Sequence, residues 1–227
     1  MKTQSFLFAT LIALSGCASS QKATEAYQNR KVKLGVEAGA NHGGIVENRD
    51  LQQIENMPVD GFTGATKIGF HAGGHATIPL GRNDIQAGIN YMFSPQTFTY
   101  NDAVHGYNGT RTVSLSQLSI PLTYNINLFK RWLAPGTVAV KLGGVLQYNL
   151  PKVSNSGTVT EYSMNKFSGG AQLGISALPF RFKNGSRLGT SFDFYKGSQI
   201  FEDFYNKKEY QMPTSSYMKL SIIYQFK

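Results

Sequence analysis

The chain holds one cysteine and one tryptophan in 227 residues, and only 15% of its positions are charged. With Cys17 alone, no internal disulfide can form, so an exported fold must rest on backbone pairing and packing. Long apolar runs are missing too. The most apolar stretch, Phe6 to Leu14, falls well short of the roughly 20 residues that a membrane-crossing helix needs. Acidic residues are scarce, 13 against 22 Lys and Arg, which leaves a net charge of +9. Such a balance can point to nucleic acid. Here the basic residues are scattered, with neither a basic helix nor an aromatic stacking platform, so nucleic-acid binding is not expected. A composition with 24 Gly, 12 Tyr and 15 Phe but little charge also lies outside that of disordered chains.

What is present is alternation. Val32, Leu34, Val36, Ala38 and Ala40 share one phase of an extended strand, and Lys33, Gly35, Glu37, Gly39 and Asn41 share the other. A helix would scatter both sets. The pattern returns in Ile68 to Leu80 and, after the turn Gly81-Arg82-Asn83-Asp84, in Ile85 to Phe93, which predicts a hairpin. Further strands are predicted around Val113–Tyr124, Val138–Tyr148, Phe167–Ala177, Leu188–Phe194 and Met218–Phe226. In the fourth, Val113 and Leu115 lie out of phase with Leu118, Ile120, Leu122 and Tyr124, so a β-bulge is expected near Ser116-Gln117. Pro121 sits awkwardly inside this strand, whereas Pro95, Pro151 and Pro179 fall in expected connections.

At the other end of the chain, Lys2 before the Phe6–Leu14 run is the pattern of an export signal. The run closes in Leu14-Ser15-Gly16-Cys17, which resembles a bacterial lipobox, so residues 1–16 are expected to be removed and Cys17 to carry a lipid. Residues 17–31 are small and polar, a periplasmic tether, and 32–227 form one domain. Expected long connections (43–66, 95–110, 150–165, 196–214) alternate with shorter ones (81–84, 125–136, 179–186), the asymmetry of membrane barrels, and put both termini on the periplasmic side.

On these features the chain resembles the small outer-membrane β-barrels of Gram-negative bacteria, of the outer membrane protein A and PorT-like classes. The resemblance covers roughly residues 32–227 and rests on the strand pattern, the loop alternation and the aromatic last strand ending Tyr224-Gln225-Phe226-Lys227. It implies an eight-stranded antiparallel up-and-down transmembrane barrel in the outer membrane, with outer-membrane lipid as its solvent and the barrel assembly machinery as its partner in biogenesis. Final Lys227 departs from families that end in Phe.

Eight strands leave an interior just filled by side chains, so a plugged polar lumen is expected. The charges assigned to it are Glu37, Asp193 and Lys219, with Lys33, Lys141, His71 and His75 nearby; they predict a buried cluster in which Lys219 lies between two acids. His71 and His75 are four apart on a strand, about 13 Å along the backbone, too far to share a metal. No catalytic, cofactor-binding or metal residues are nominated. The expected role is structural or partner-binding, with another envelope protein as the candidate partner and Phe201, Phe204, Tyr205 and Tyr210 of the fourth long loop as contact residues. Three alternatives remain open: an outer-membrane enzyme acting on lipid or peptide through His42 with Glu47 and Asp50 or His105 with Asp102; a narrow pore or accessory subunit of a transport complex; and a soluble eight-stranded binder with an apolar interior.

Overall fold

The structure, a computed structural model, describes residues 30–46, 53–54, 57–58, 63–102, 106–128, 137–158, 164–199 and 214–227. Eight long strands carry the fold: β1 Lys33–Val46, β2 Ile68–Leu80, β3 Asn83–Asp102, β4 Tyr107–Asn127, β5 Val138–Thr158, β6 Phe167–Arg181, β7 Arg187–Gln199 and β8 Thr214–Gln225. Each pairs antiparallel with the next, and β1 pairs with β8 through contacts such as Ala40↔Leu220, so the sheet closes on itself. A short strand, Thr63–Thr66, adds to β3 opposite Gln96–Thr99.

Closure follows from the two-residue period. Outward positions such as Val36, Phe70, Ile89, Leu122, Leu146, Leu173, Phe192 and Ile222 are exposed, while the alternate positions Glu37, His71, Asn90, Thr123, Gln147, Gln172, Asp193 and Ser221 are buried. This is the inverse of a water-soluble barrel. Large apolar side chains facing out and amides facing in are stable only where lipid is the solvent, and there every strand edge must be paired. On β8 the outward run from Met218 to Phe226 matches the roughly 9–11 residues with which a tilted strand crosses a bilayer.

Aromatic pairs mark both edges of the apolar band. At one end Phe70 packs on Phe93 with ring centroids 5.4 Å apart, and Tyr148 on Phe167 at 5.1 Å. At the other, where β1 begins and β8 finishes, Tyr224 lies 5.1 Å from Phe226 and 6.2 Å from Phe182. Amphipathic rings at both water interfaces are the usual anchors of a membrane barrel.

The strands β3, β4 and β5 run well past the Tyr148–Phe167 level, which corrects the expectation that 95–110 and 150–165 are connections. Pro95 and Pro151 lie inside this extension, and Pro179 lies inside β6. Beyond the lipid band nothing selects apolar residues outside, so the backbone ladder continues after its sequence signature has faded.

The expected bulge near Ser116-Gln117 is absent. β4 keeps one register with β3 and one with β5, and Val113 and Leu115 point inward, buried, in phase with Gln117 and Ser119. What changes there is the residue choice on β4 itself, from Gln117 and Ser119 to Val113 and Leu115 on the same inward face. The register shifts that do occur lie between β6 and β7 at Leu188/Thr190 and between β7 and β8 at Lys196/Gln199. Pro121 leaves its mark on the ladder. The β3–β4 pairing omits Gly88 and Ile89, where Pro121 has no N–H to give, while its pairing with Val145 on β5 persists.

These two descriptions of β4 are separable by mutation. Val113→Asp buries an unpaired carboxylate and is expected to cost at least about 3 kcal/mol, whereas Ser114→Asp, facing out, stays within about 0.5 kcal/mol. Urea unfolding of the two variants in detergent micelles measures the difference, and a larger loss for Ser114→Asp would restore the bulge.

Candidate functional site

The inward faces of β1, β2, β3, β5, β7 and β8 converge on two buried ion pairs. Lys219 Nζ on β8 lies 3.2 Å from Glu37 Oε1 on β1, across the seam where the sheet closes. Lys141 Nζ on β5 lies 2.8 Å from Asp193 Oδ1 on β7. All four side chains are almost fully removed from solvent. Desolvating such groups is costly, so further donors must satisfy the carboxylate oxygens. Asn90 Nδ2 donates to Glu37 Oε1 at 2.7 Å; Gln172 Nε2 and Ser191 Oγ donate to Asp193 at 3.0 and 3.1 Å.

Sequence reasoning places Lys219 between the two acids, and in register it does stand directly opposite Asp193. The ion pairs are divided differently: Lys219 serves Glu37, and Asp193 takes Lys141 from two strands away. Strand tilt explains this, because side chains in a sheared barrel meet diagonally across the lumen rather than along a row of the sheet.

The two histidines diverge. His71 Nε2 is 2.8 Å from Ser221 Oγ on β8, and His75 lies over Gly35 of β1, where any side chain would run into its ring. Gly174 makes the matching room for the Asp193 carboxylate. Lys33 shares the inward face of β1 with Glu37, at the end of the strand opposite Thr77, and is half-buried. Among the described residues, no group of three or more His, Cys, Asp or Glu side chains is arranged to hold a metal. Glu37, His75, Asn90, Lys141, Gln172 and Lys219 line a cavity of about 10 Å³, room for one water and no ligand.

Above the ionic layer lies one that sequence reasoning missed. Tyr195 and Tyr217 stack with centroids 4.5 Å apart and an interplanar angle of 20°. With Met92 and Val145 they form a buried apolar cluster across the lumen, and Gln147 Nε2 donates to Tyr217 Oη at 2.9 Å. The signal was available, since Met92 falls in the polar phase of β3 and is a large apolar side chain where the interior otherwise takes amides.

Cys17, the expected signal and most of the expected tether, Phe201, Phe204, Tyr205 and Tyr210, and the enzyme candidates Glu47, Asp50 and His105 lie outside the described residues. His42 is described, exposed on the outward face of β1.

The sequence model of a family described as an outer membrane protein beta-barrel domain matches residues 19–197. Similar solved structures include the outer membrane protein OprG from Pseudomonas aeruginosa, with 9% identity and a TM-score of 0.40 over 86% of this chain and 95% of that one. Another is the translocator domain of autotransporter NalP from Neisseria meningitidis, with 9% identity and a TM-score of 0.33 over 99% and 97%. No curated protein matches the chain.

The buried pairs make a testable cycle. Lys141→Met leaves Asp193 charged and without its cation, an expected loss of roughly 3–5 kcal/mol, whereas Lys141→Met with Asp193→Leu recovers most of that. Equilibrium unfolding in micelles reads the coupling; losses that simply add would show that the pair is not coupled.

Proposed function

Because the chain belongs to the outer membrane protein beta-barrel domain family, we propose that it is a sealed, non-enzymatic barrel that anchors a projecting sheet and loops for contact with another envelope protein. The observation that carries the reading is the doubly filled lumen. The ionic layer of Glu37, Lys219, Lys141 and Asp193 is neutral in sum, and the layer above it is filled by the packed side chains of Met92, Val145, Tyr195 and Tyr217. A solute would have to break both. An eight-stranded interior packed with side chains has no room for a pathway of fixed width.

The projecting sheet supports the second half of the reading. Thr158 lies ten residues beyond Tyr148 on β5, roughly 33 Å of extended strand past the aromatic girdle at about 3.3 Å per residue. Leu150 to Thr158 are exposed throughout, and the sheet is braced at its root, where Gln96 exchanges two 2.8 Å hydrogen bonds with the backbone of Ile45. Rigid strands of this length are not needed to cross a bilayer. Their use is presentation. In this reading both termini are periplasmic, the sheet and the long loops face outward, and Cys17 adds a lipid anchor.

Two measurements test it. In planar bilayers the purified protein is expected to show no steady conductance, and large stable openings would remove the sealed reading. In detergent extracts, replacing residues 200–213 by a short Gly-Ser linker is expected to lower recovery of a co-purifying envelope protein, with barrel folding checked by heat-modifiable gel migration. Unchanged recovery would move the contact from that loop to the β3–β5 sheet.

A further inference from the structure

Above the apolar band, β3, β4 and β5 keep their outward phase but change what they carry. The last rows to meet lipid across the three strands are Tyr91, Leu118 and Tyr148, then Phe93, Ser116 and Leu150. Pro95, Ser114 and Lys152 follow. Beyond them come two rows made of hydroxyls alone: Thr97, Thr112 and Ser154, then Thr99, Thr110 and Ser156.

Neighbours in such a sheet stand about 4.8 Å apart across the strands and about 6.7 Å apart along them, so the six hydroxyls form a regular lattice on one face. All six residues are exposed or half-buried. The facing hydroxyls of Thr97 and Thr112 are 3.5 Å apart, longer than an ordinary O–H···O bond, which leaves most of their bonding capacity to a third group. Charge is scarce here: Lys152 is the only ion among the described residues of this face beyond Leu150. A protein partner is anchored by aromatic and Arg side chains, and a second copy by apolar area; neither occurs in the two rows. A saccharide is their complement. Each of its hydroxyls both donates and accepts, as those of Ser and Thr do, and its C–H faces can rest on the Thr methyls. The stiff χ1 of Thr holds the lattice ready at little entropic cost.

Height selects the source of the saccharide. Ser154 and Ser156 lie four and six residues beyond Leu150, roughly 13 and 20 Å along the strand. With the usual tilt of barrel strands, that is roughly 10 and 15 Å above the hydrocarbon. The polar layer of an ordinary phospholipid is about 5–8 Å deep and so ends near Lys152. A headgroup of several sugars reaches the hydroxyl rows while its chains stay on the apolar rows below.

We infer that the outward face of β3, β4 and β5, through Thr97, Thr99, Thr110, Thr112, Ser154 and Ser156, binds the oligosaccharide headgroup of a glycolipid in the surrounding leaflet. Tyr148 and Leu150 lie where its chains leave the headgroup. The outward direction of the sheet is taken from the proposed function, but micelles have no sides, so lipid retention reports on this face even if that reading fails.

Native mass spectrometry of the full chain released from detergent micelles doped with equimolar globotriaosylceramide and glucosylceramide tests this, since the two lipids share a ceramide and differ by two uncharged sugars. Wild type is expected to retain the trisaccharide lipid preferentially. Thr99→Val, Thr110→Val and Thr112→Val each remove a hydroxyl and keep the branching. Each should lower the preference about fivefold, with glucosylceramide retention unchanged and heat-modifiable migration intact. Thr190→Val, exposed on the lipid-facing side of β7, should leave the preference alone. A wild-type ratio near one, a ratio unmoved in the three variants, or an equal fall with Thr190→Val would each overturn the inference. Retention halved by free trisaccharide at the lipid's own concentration would assign the face to soluble sugar and overturn the lipid-borne source.

Discussion

Everything in this molecule depends on the pairing of β1 with β8. Hydrocarbon offers no hydrogen bonds, so a row of unpaired backbone groups along an open edge would cost several kcal/mol per group. Closure removes the edge and fixes the rest. It dictates two faces of opposite polarity, confines the interior to a narrow cylinder, and forces any charge placed there to find its counterpart among side chains that the shear brings close.

The parts of the fold that touch lipid were legible in the sequence, and those that do not were not. Val36, Phe70, Leu122 and Ile222 alternate with polar partners because the bilayer selects them, and all eight spanning strands follow from that alternation. Beyond the girdle the selecting solvent is water on one side and packed protein on the other. There Val113 and Leu115 turn inward, and a continuous strand takes on the look of a slipped one. The same physics hides the hairpin built from Pro95 to Asp102 and its partner.

The lumen was half legible. Glu37, Lys141, Asp193 and Lys219 could be assigned to the interior because a charge in the polar phase of a spanning strand has nowhere else to go. Which acid holds which lysine could not be read, because partners are set by stagger between strands, a quantity that no single strand encodes. The tyrosine stack was hidden for a related reason. Tyr195 and Tyr217 are neighbours across the β7–β8 register, and only the register shows that two rings in the polar phase make one apolar layer.

The Lys219–Glu37 pair bridges the first and last strands of the domain, residues that are 182 positions apart in the chain. Its charges are satisfied only when the ends of the sheet meet in one alignment. A barrel zipped two residues out of step would keep both side chains in the lumen but part the ammonium from the carboxylate that it meets at 3.2 Å. The pair thus ties one alignment of the seam to the satisfaction of two buried charges, so that register and electrostatics favour the same closed cylinder.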